Sequence, residues 1–217
     1  VIDPEANTID TTSIANSVGT TLATGGTKWI GGVLGQDGKI YGAPFNATSV
    51  CVIDPFSQTI STTSLTLTAG STLSGTSQWV NGAIAPNGKI YFNPRDATSF
   101  CIIDTEAGTI DTTSITGLLG TGKWSGSVLS QNGMIYLIPR DSTSVLVVDP
   151  ETNTVSLTDV SLITGSTLSG SSKFGGGVMG EDGHIYCIPF DSQNSCEIIT
   201  SAPKIQPWVF SPEYNRA

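Results

Sequence analysis

The side chains able to carry chemistry are few. Among 217 residues there is one histidine, His184, with four cysteines and 18 carboxylates. His184 follows Asp182-Gly183, at a place that Lys39, Lys89 and Met134 occupy in related segments. No Ser-His-Asp arrangement can be assembled around it, and it reads as an exposed strand residue. Most carboxylates, including Asp37, Asp54, Asp104, Asp149, Glu151 and Asp182, fall in turns. There a short acidic side chain accepts hydrogen bonds from local backbone N–H groups. No pair stands out as the acid and base of a glycosidase, and Asp37-Gly38-Lys39 lacks the alternating oxygen ligands of a calcium loop. Cys51 and Cys101 hold equivalent places in successive repeats, too far apart to bridge, and read as core fillers. Cys187 and Cys196 fall on neighbouring strands, so a cross-strand disulfide is open to them, with free thiols the expected state. The four cysteines lack zinc spacing. The expectation is no catalytic residue, no metal and no cofactor.

Binding chemistry is better represented. Three segments, Asn46-Ala47-Thr48-Ser49, Asp96-Ala97-Thr98-Ser99 and Asp141-Ser142-Thr143-Ser144, place hydroxyls and carboxylates or amides together, with Arg95 and Arg140 beside two of them. Ser71-Thr72-Leu73-Ser74-Gly75 and Ser166-Thr167-Leu168-Ser169-Gly170 are near copies of a second hydroxyl-rich loop. Such groups beside aromatics suit a glycan or a protein surface. The candidate ligand-binding residues are Asn46, Thr48, Arg95, Asp96, Arg140 and Asp141, with Trp29, Trp79 and Trp124. A structural alternative stands beside this one: the loops cap strands, and the tryptophans with Phe174 pack between neighbouring sheets.

The elements that must position these groups are visible as a repeat. Trp29-Ile30-Gly31-Gly32-Val33-Leu34 returns from Trp79, from Trp124 and from Phe174, in steps of 50, 45 and 50 residues. Each copy leads to an Asp-Gly or Asn-Gly turn, an Ile-Tyr strand, a Pro, and an Ile/Val-rich strand. In the first three copies that strand ends in Asp, at Asp54, Asp104 and Asp149, and a short Thr-rich strand follows. The Asp-Gly and Asn-Gly pairs predict two-residue type I′ hairpins. Four short antiparallel strands per repeat predict an all-β fold, a β-propeller of about four four-stranded blades, open to being part of a larger propeller. The blades fall near 30–62, 80–112, 125–157 and 175–200, within a domain spanning 1–200. The Gly-rich first strand would line the central channel, where backbones approach closely. The fourth repeat reaches Cys196-Glu197-Ile198-Ile199 and then breaks the pattern, without a fourth strand of its own. Residues 1–12 resemble a third and fourth strand, and the stretch 8–12 is expected to close the last blade. Residues 201–217 do not repeat. Their prolines and Trp208, Phe210 and Tyr214 suggest an interface segment packed on the propeller or on a neighbour.

Composition sets outer bounds. Lys plus Arg number 9 against 18 Asp plus Glu, a formal net charge of −9, which argues against a nucleic-acid footprint. No apolar run approaches the ~20 residues of a membrane-spanning helix. The chain opens without Met and without a signal-peptide pattern, as expected of a processed product or a part of something longer.

The run from Gly31 to Ser49, Gly-Gly-Val-Leu-Gly-Gln-Asp-Gly-Lys-Ile-Tyr-Gly-Ala-Pro-Phe-Asn-Ala-Thr-Ser, and the segment Val147-Val148-Asp149-Pro150-Glu151-Thr152-Asn153-Thr154 resemble kelch-like repeats of tailed-bacteriophage virion structural proteins. The tail Pro207-Trp208-Val209-Phe210-Ser211-Pro212-Glu213-Tyr214-Asn215 is similar to the end of such proteins. One departure is that the Gly pair follows the aromatic. The resemblance carries no catalytic residues. It implies a non-enzymatic structural or host-attachment component of a virion: a tail, fibre or decoration protein in a multimeric assembly. Its partners would be other virion or surface proteins and a host glycan or receptor. Two other readings stand beside it: a secreted or cell-surface propeller that binds glycan or protein, and a propeller hydrolase or lyase.

Overall fold

The computed structural model describes residues 2–17, 20, 22, 26–157 and 167–200, and all regular structure among them is β. A hairpin of β1 (Ile2–Asp3) and β2 (Thr8–Ile9) precedes β3 (Ala15–Asn16). Blade 1 follows as β4 (Trp29–Leu34), β5 (Ile40–Pro44), β6 (Cys51–Asp54) and β7 (Thr59–Ser61). After β8 (Thr66–Leu67), blade 2 comprises β9 (Trp79–Ile84), β10 (Lys89–Pro94), β11 (Cys101–Asp104) and β12 (Thr109–Asp111). Blade 3 holds β13 (Trp124–Leu129), β14 (Ile135–Pro139), β15 (Leu146–Asp149) and β16 (Thr154–Ser156). Blade 4 holds β17 (Phe174–Met179), β18 (Ile185–Pro189) and β19 (Cys196–Ile198). Within each blade the strands pair antiparallel in chain order. The four sheets form the four blades of a β-propeller.

Two details depart from expectation. The hairpins between first and second strands are not type I′. Only the glycine has positive φ, 78° at Gly38 and 82° at Gly183, and a bond from Gly38 N–H to Gly35 C=O (3.1 Å) closes the turn. This is the longer loop in which a left-handed Gly follows a type I turn. The preceding Asp or Asn is used differently. Asp37 accepts from the Lys39 N–H and from the Tyr41 hydroxyl, the latter at 2.8 Å, which ties the turn to the strand. The N-terminal strand also does not close the last blade. Among the described residues β2 pairs with β1 alone, and blade 4 is three-stranded. Asp3 accepts the N–H groups of Glu5 and Ala6, so the local hairpin forms at little loop-closure cost. In blades 1 and 2 a short strand, β3 or β8, adds in parallel outside the fourth.

The core lies between blades. On each blade the alternation of strand residues sends one set toward the preceding blade and the other toward the following blade. Val33, Tyr41, Ala43 and Val52 meet Trp79, Ile90, Phe92 and Ile103. Tyr91, Phe100 and Ile102 meet Trp124, Ile135, Leu137 and Val148. Tyr136, Ile138 and Val147 meet Phe174, Ile185, Cys187 and Ile198. The innermost strands touch in the order β4, β9, β13, β17, and β17 has no comparable contact with β4. Blade 4 therefore presents an open face, where Val178 is 58% and Ile188 51% exposed.

Candidate functional site

The loops joining second to third strands follow one design, and most of the candidate ligand residues serve it. The residue before each aromatic offers its carbonyl to the loop of its own blade. Lys28 C=O accepts from Phe45, Asn46 and Ala47 N–H, and Lys123 C=O accepts from Arg140, Asp141 and Ser142 N–H. Each loop then reaches the next blade. Asn46 Oδ1 accepts the Ser77 N–H at 2.7 Å, Asp96 Oδ1 the Gly122 N–H at 2.6 Å, and Asp141 Oδ1 the Ser172 N–H at 2.5 Å. Arg140 pairs with Asp141 at 3.2 Å and donates to Ser172 Oγ at 3.0 Å. The Arg95 guanidinium lies 5.4 Å from the centroid of the Phe45 ring. These are blade-to-blade latches. Trp79 and Trp124 are buried between blades, and the indole N–H groups of Trp29, Trp79 and Trp124 donate to Ser49, Ser99 and Ser144 C=O. Thr48 alone of the set stands exposed without such a role. Trp208, Phe210 and Tyr214 lie outside the described residues.

The same loop face carries a groove of about 870 Å³ between blades 3 and 4. Leu168 and Phe174, both buried, line its apolar part. Thr143, Ser169 and Ser171 offer hydroxyls, Gln193 and Asn194 amides, and Asp191 a carboxylate. Lys173 is buried at its edge and donates to Gly170 C=O at 2.7 Å, and burial pulls its ammonium below the usual lysine value. None of the nine candidate ligand residues lines this groove, but Thr143 and Ser144 of the third hydroxyl segment and residues 167–170 of the second hydroxyl-rich loop do, as do repeat counterparts of the nine. Thr143 corresponds to Thr48, Asp191 to Asn46 and Phe174 to the tryptophans. Asn46, Asp96 and Asp141 each have a following blade to latch, whereas Asp191 is exposed.

On the open face of blade 4 stands a polar cluster that sequence reasoning missed. His184 Nδ1 lies 2.6 Å from Glu197 Oε1 and 3.8 Å from Asp182 Oδ2. Tyr186 donates its hydroxyl to Asp182 at 2.6 Å, which holds that carboxyl below its ordinary value; the same bond pushes the Tyr186 phenol up to about 12. The register places Tyr186 opposite Glu197, so Glu197 is a diagonal neighbour of His184. The signal was present in the repeat: Val52, Ile102 and Val147 occupy the place of Glu197. The ligand atoms of Asp182, His184 and Glu197 lie within 4.8 Å of one another, and among the described residues these three could hold a metal. One imidazole and two carboxylates suit a divalent cation.

No protein-family model matches the sequence, and no curated protein matches it. Solved structures do match in fold. A streptogramin B lyase superposes with a TM-score of 0.58 at 15% identity, over 83% of this chain and 55% of that one. The extracellular domain of a one-component system from B. thetaiotaomicron gives 0.55 at 10% identity, over 86% and 26%. An auxiliary nutrient binding protein from Bacteroides ovatus gives 0.51 at 17% identity, over 78% and 44%. The chain thus spans about half or less of the length of these proteins. At such identities the likeness concerns the fold, so the chain is a β-propeller protein, and the likeness to kelch-like phage repeats rests on the repeat residues alone.

Proposed function

We propose that the chain is a non-enzymatic recognition propeller that binds a glycan or a protein surface in the groove between blades 3 and 4. The observation that carries this reading is the groove itself. It combines an apolar base at Leu168 and Phe174 with a rim of hydroxyls and amides, and its lining includes Asp191, which unlike Asn46, Asp96 and Asp141 latches no following blade among the described residues. Sugar hydroxyls and peptide groups both find donors and acceptors there, and a sugar face or side chain can rest on the apolar base. The repeat resemblance supplies the setting: a structural or host-attachment component of a virion, in a multimeric assembly with other virion or surface proteins. A secreted or cell-surface location is the alternative. Among the named structural neighbours, one is a nutrient binding protein and one an extracellular domain.

The soluble chain should be retained on a glycan array or by a surface protein of the host. Ser171→Trp, which fills the groove, should abolish retention, and Gln193→Ala should weaken it. Arg95→Ala and Arg140→Ala should change stability more than retention. Retention unaffected by Ser171→Trp would sink the groove as the site. Mass spectrometry of purified particles tests the virion setting.

The His184 cluster supports a second reading, a lyase or hydrolase. A virginiamycin B lyase of the same fold, with a TM-score of 0.51 at 13% identity, is described as catalytically inactive when a histidine is changed to alanine. Here the imidazole sits against two carboxylates. Turnover of any member of a panel of glycans and lactones, lost in His184→Ala, would replace the binding reading with this one.

A further inference from the structure

Cys187 on β18 and Cys196 on β19 are direct cross-strand partners. Antiparallel partners stand roughly 4.5–5.5 Å apart between Cα atoms, inside the range of about 4.4–6.8 Å that disulfides span. Both belong to the set of side chains packed against blade 3, where Cys187 is buried and Cys196 partly so. The neighbouring Cys196 pushes the Cys187 thiol up, and Cys187 pulls that of Cys196 down. The equivalent cross-strand pairs are Gly42 with Cys51, Phe92 with Cys101 and Leu137 with Leu146, so blade 4 alone brings two sulfurs together.

Blade 4 differs in a second respect. The third strands β6, β11 and β15 are each held on both sides, by a second strand and by a fourth. Among the described residues β19 pairs with β18 only. We propose that Cys187 and Cys196 form a disulfide site that fastens β19 to its blade, where a fourth strand fastens its counterparts. Both residues are thiols in this structure. The oxidant is a small-molecule disulfide such as oxidised glutathione. The more accessible Cys196 thiolate attacks one sulfur of that disulfide, breaking its S–S bond and releasing one thiolate. The Cys187 sulfur then attacks Cys196 Sγ, forming the cross-strand bond and releasing the second thiolate; the two cysteine protons pass to the released thiolates. The two cysteines are oxidised and the small disulfide is reduced. The inference holds whether or not the groove binds anything. If the proposed function is right, the bond also fixes one wall of the site, since Cys196, Glu197 and Ile198 line the groove.

The test titrates the purified chain with mixtures of reduced and oxidised glutathione and counts thiols. Two of the four cysteines should be lost together, with a mass decrease of two hydrogens and no retained glutathione. Cleavage at Asp191 should then yield two peptides joined through Cys187 and Cys196. Cys187→Ser should stop at a glutathione adduct on Cys196. Hydrogen exchange at Glu197 and Ile198 should slow in the oxidised chain relative to the reduced one. A stable glutathione adduct on Cys196 of the unaltered chain, a bridge to Cys51 or Cys101, or four persistent thiols would overturn the site. A bridge that leaves the exchange of β19 unchanged would overturn the fastening role. Absence of ligand binding in both redox states would count against the groove and leave the disulfide standing.

Discussion

Ile138 on β14 and Ile188 on β18 hold the same place in their blades, three residues after the first Ile of the second strand. The first is fully buried against blade 4, with its Cδ1 filling the space that a Cβ on Gly177 would need. The second is 51% exposed. The same contrast runs through the pair of blades: Tyr136 and Val147 are buried, while Glu197 stands exposed in the place of Val147. The repeat specifies how a strand is built and which side chains alternate. Whether a face is core depends on there being a further blade to cover it. Glu197, His184 and Ser195 stand in apolar or basic positions of the other blades, and Glu197 and Ser195 are exposed.

The contrast can be broken first at those two isoleucines. Ile138→Ala should cost about 2–5 kcal/mol in urea unfolding, because the removed methyls leave a cavity between blades. Ile188→Ala should cost roughly 0.5 kcal/mol or less. Equal losses would mean that the open face of blade 4 is covered in solution. The latches give the next largest difference. Asp141→Ala leaves the Ser172 N–H without its acceptor and frees Arg140, at about 1–2 kcal/mol. Asp191→Ala should leave stability nearly unchanged, and a change in retention without a change in stability would mark Asp191 as a ligand residue.

Smaller still is the effect of the first strands' close approach. A Cβ on Gly126 would stand 3.2 Å from Gly176 Cα, whereas a Cβ on Gly176 would meet nothing within 4 Å. Gly126→Ala should therefore destabilise by about 1 kcal/mol. Gly176→Ala should be neutral or mildly stabilising, because it reduces the freedom of the unfolded chain. Opposite signs at equivalent positions would place the asymmetry in blade packing rather than in local backbone preference.

How much of this was legible follows the range of each signal. The repeat, the strand order and the aromatic between blades are local periodicities, and the sequence shows them. Trp79, Trp124 and Phe174 are buried between blades, as the structural alternative expects. The hairpin type was misread because Asp-Gly is a signal shared by more than one loop length; the Tyr four residues after each Asp or Asn was the unused clue to what that side chain does. The latches were invisible because an Asp that accepts from the next blade looks the same as one that awaits a ligand. The His184 cluster was missed because its partner lies 13 residues away across a strand pair. A charged residue in an otherwise apolar repeat column was the available warning.

The smallest expected effect tests the acidic turns that follow the third strands. Asp104 accepts the Ala107 N–H at 2.9 Å and pairs with Lys89 at 3.2 Å; that backbone bond, ahead of the lysine, holds its carboxyl below the ordinary aspartate range. Blade 4 has Ile199 in the same place. A carboxyl whose folded pKa is depressed adds stability that is complete above its unfolded value, about 3.9. That contribution fades as pH falls through the lower, folded value. Asp104→Asn should thus lower stability slightly near neutral pH and flatten its decline below about pH 4. The two proteins should converge at the acid end of the series. A parallel offset at every pH would show that the amide fails to hold the turn for reasons other than charge. If convergence is seen, the turn of blade 2 draws on an ionised side chain for which blade 4, with Ile199, has no equivalent.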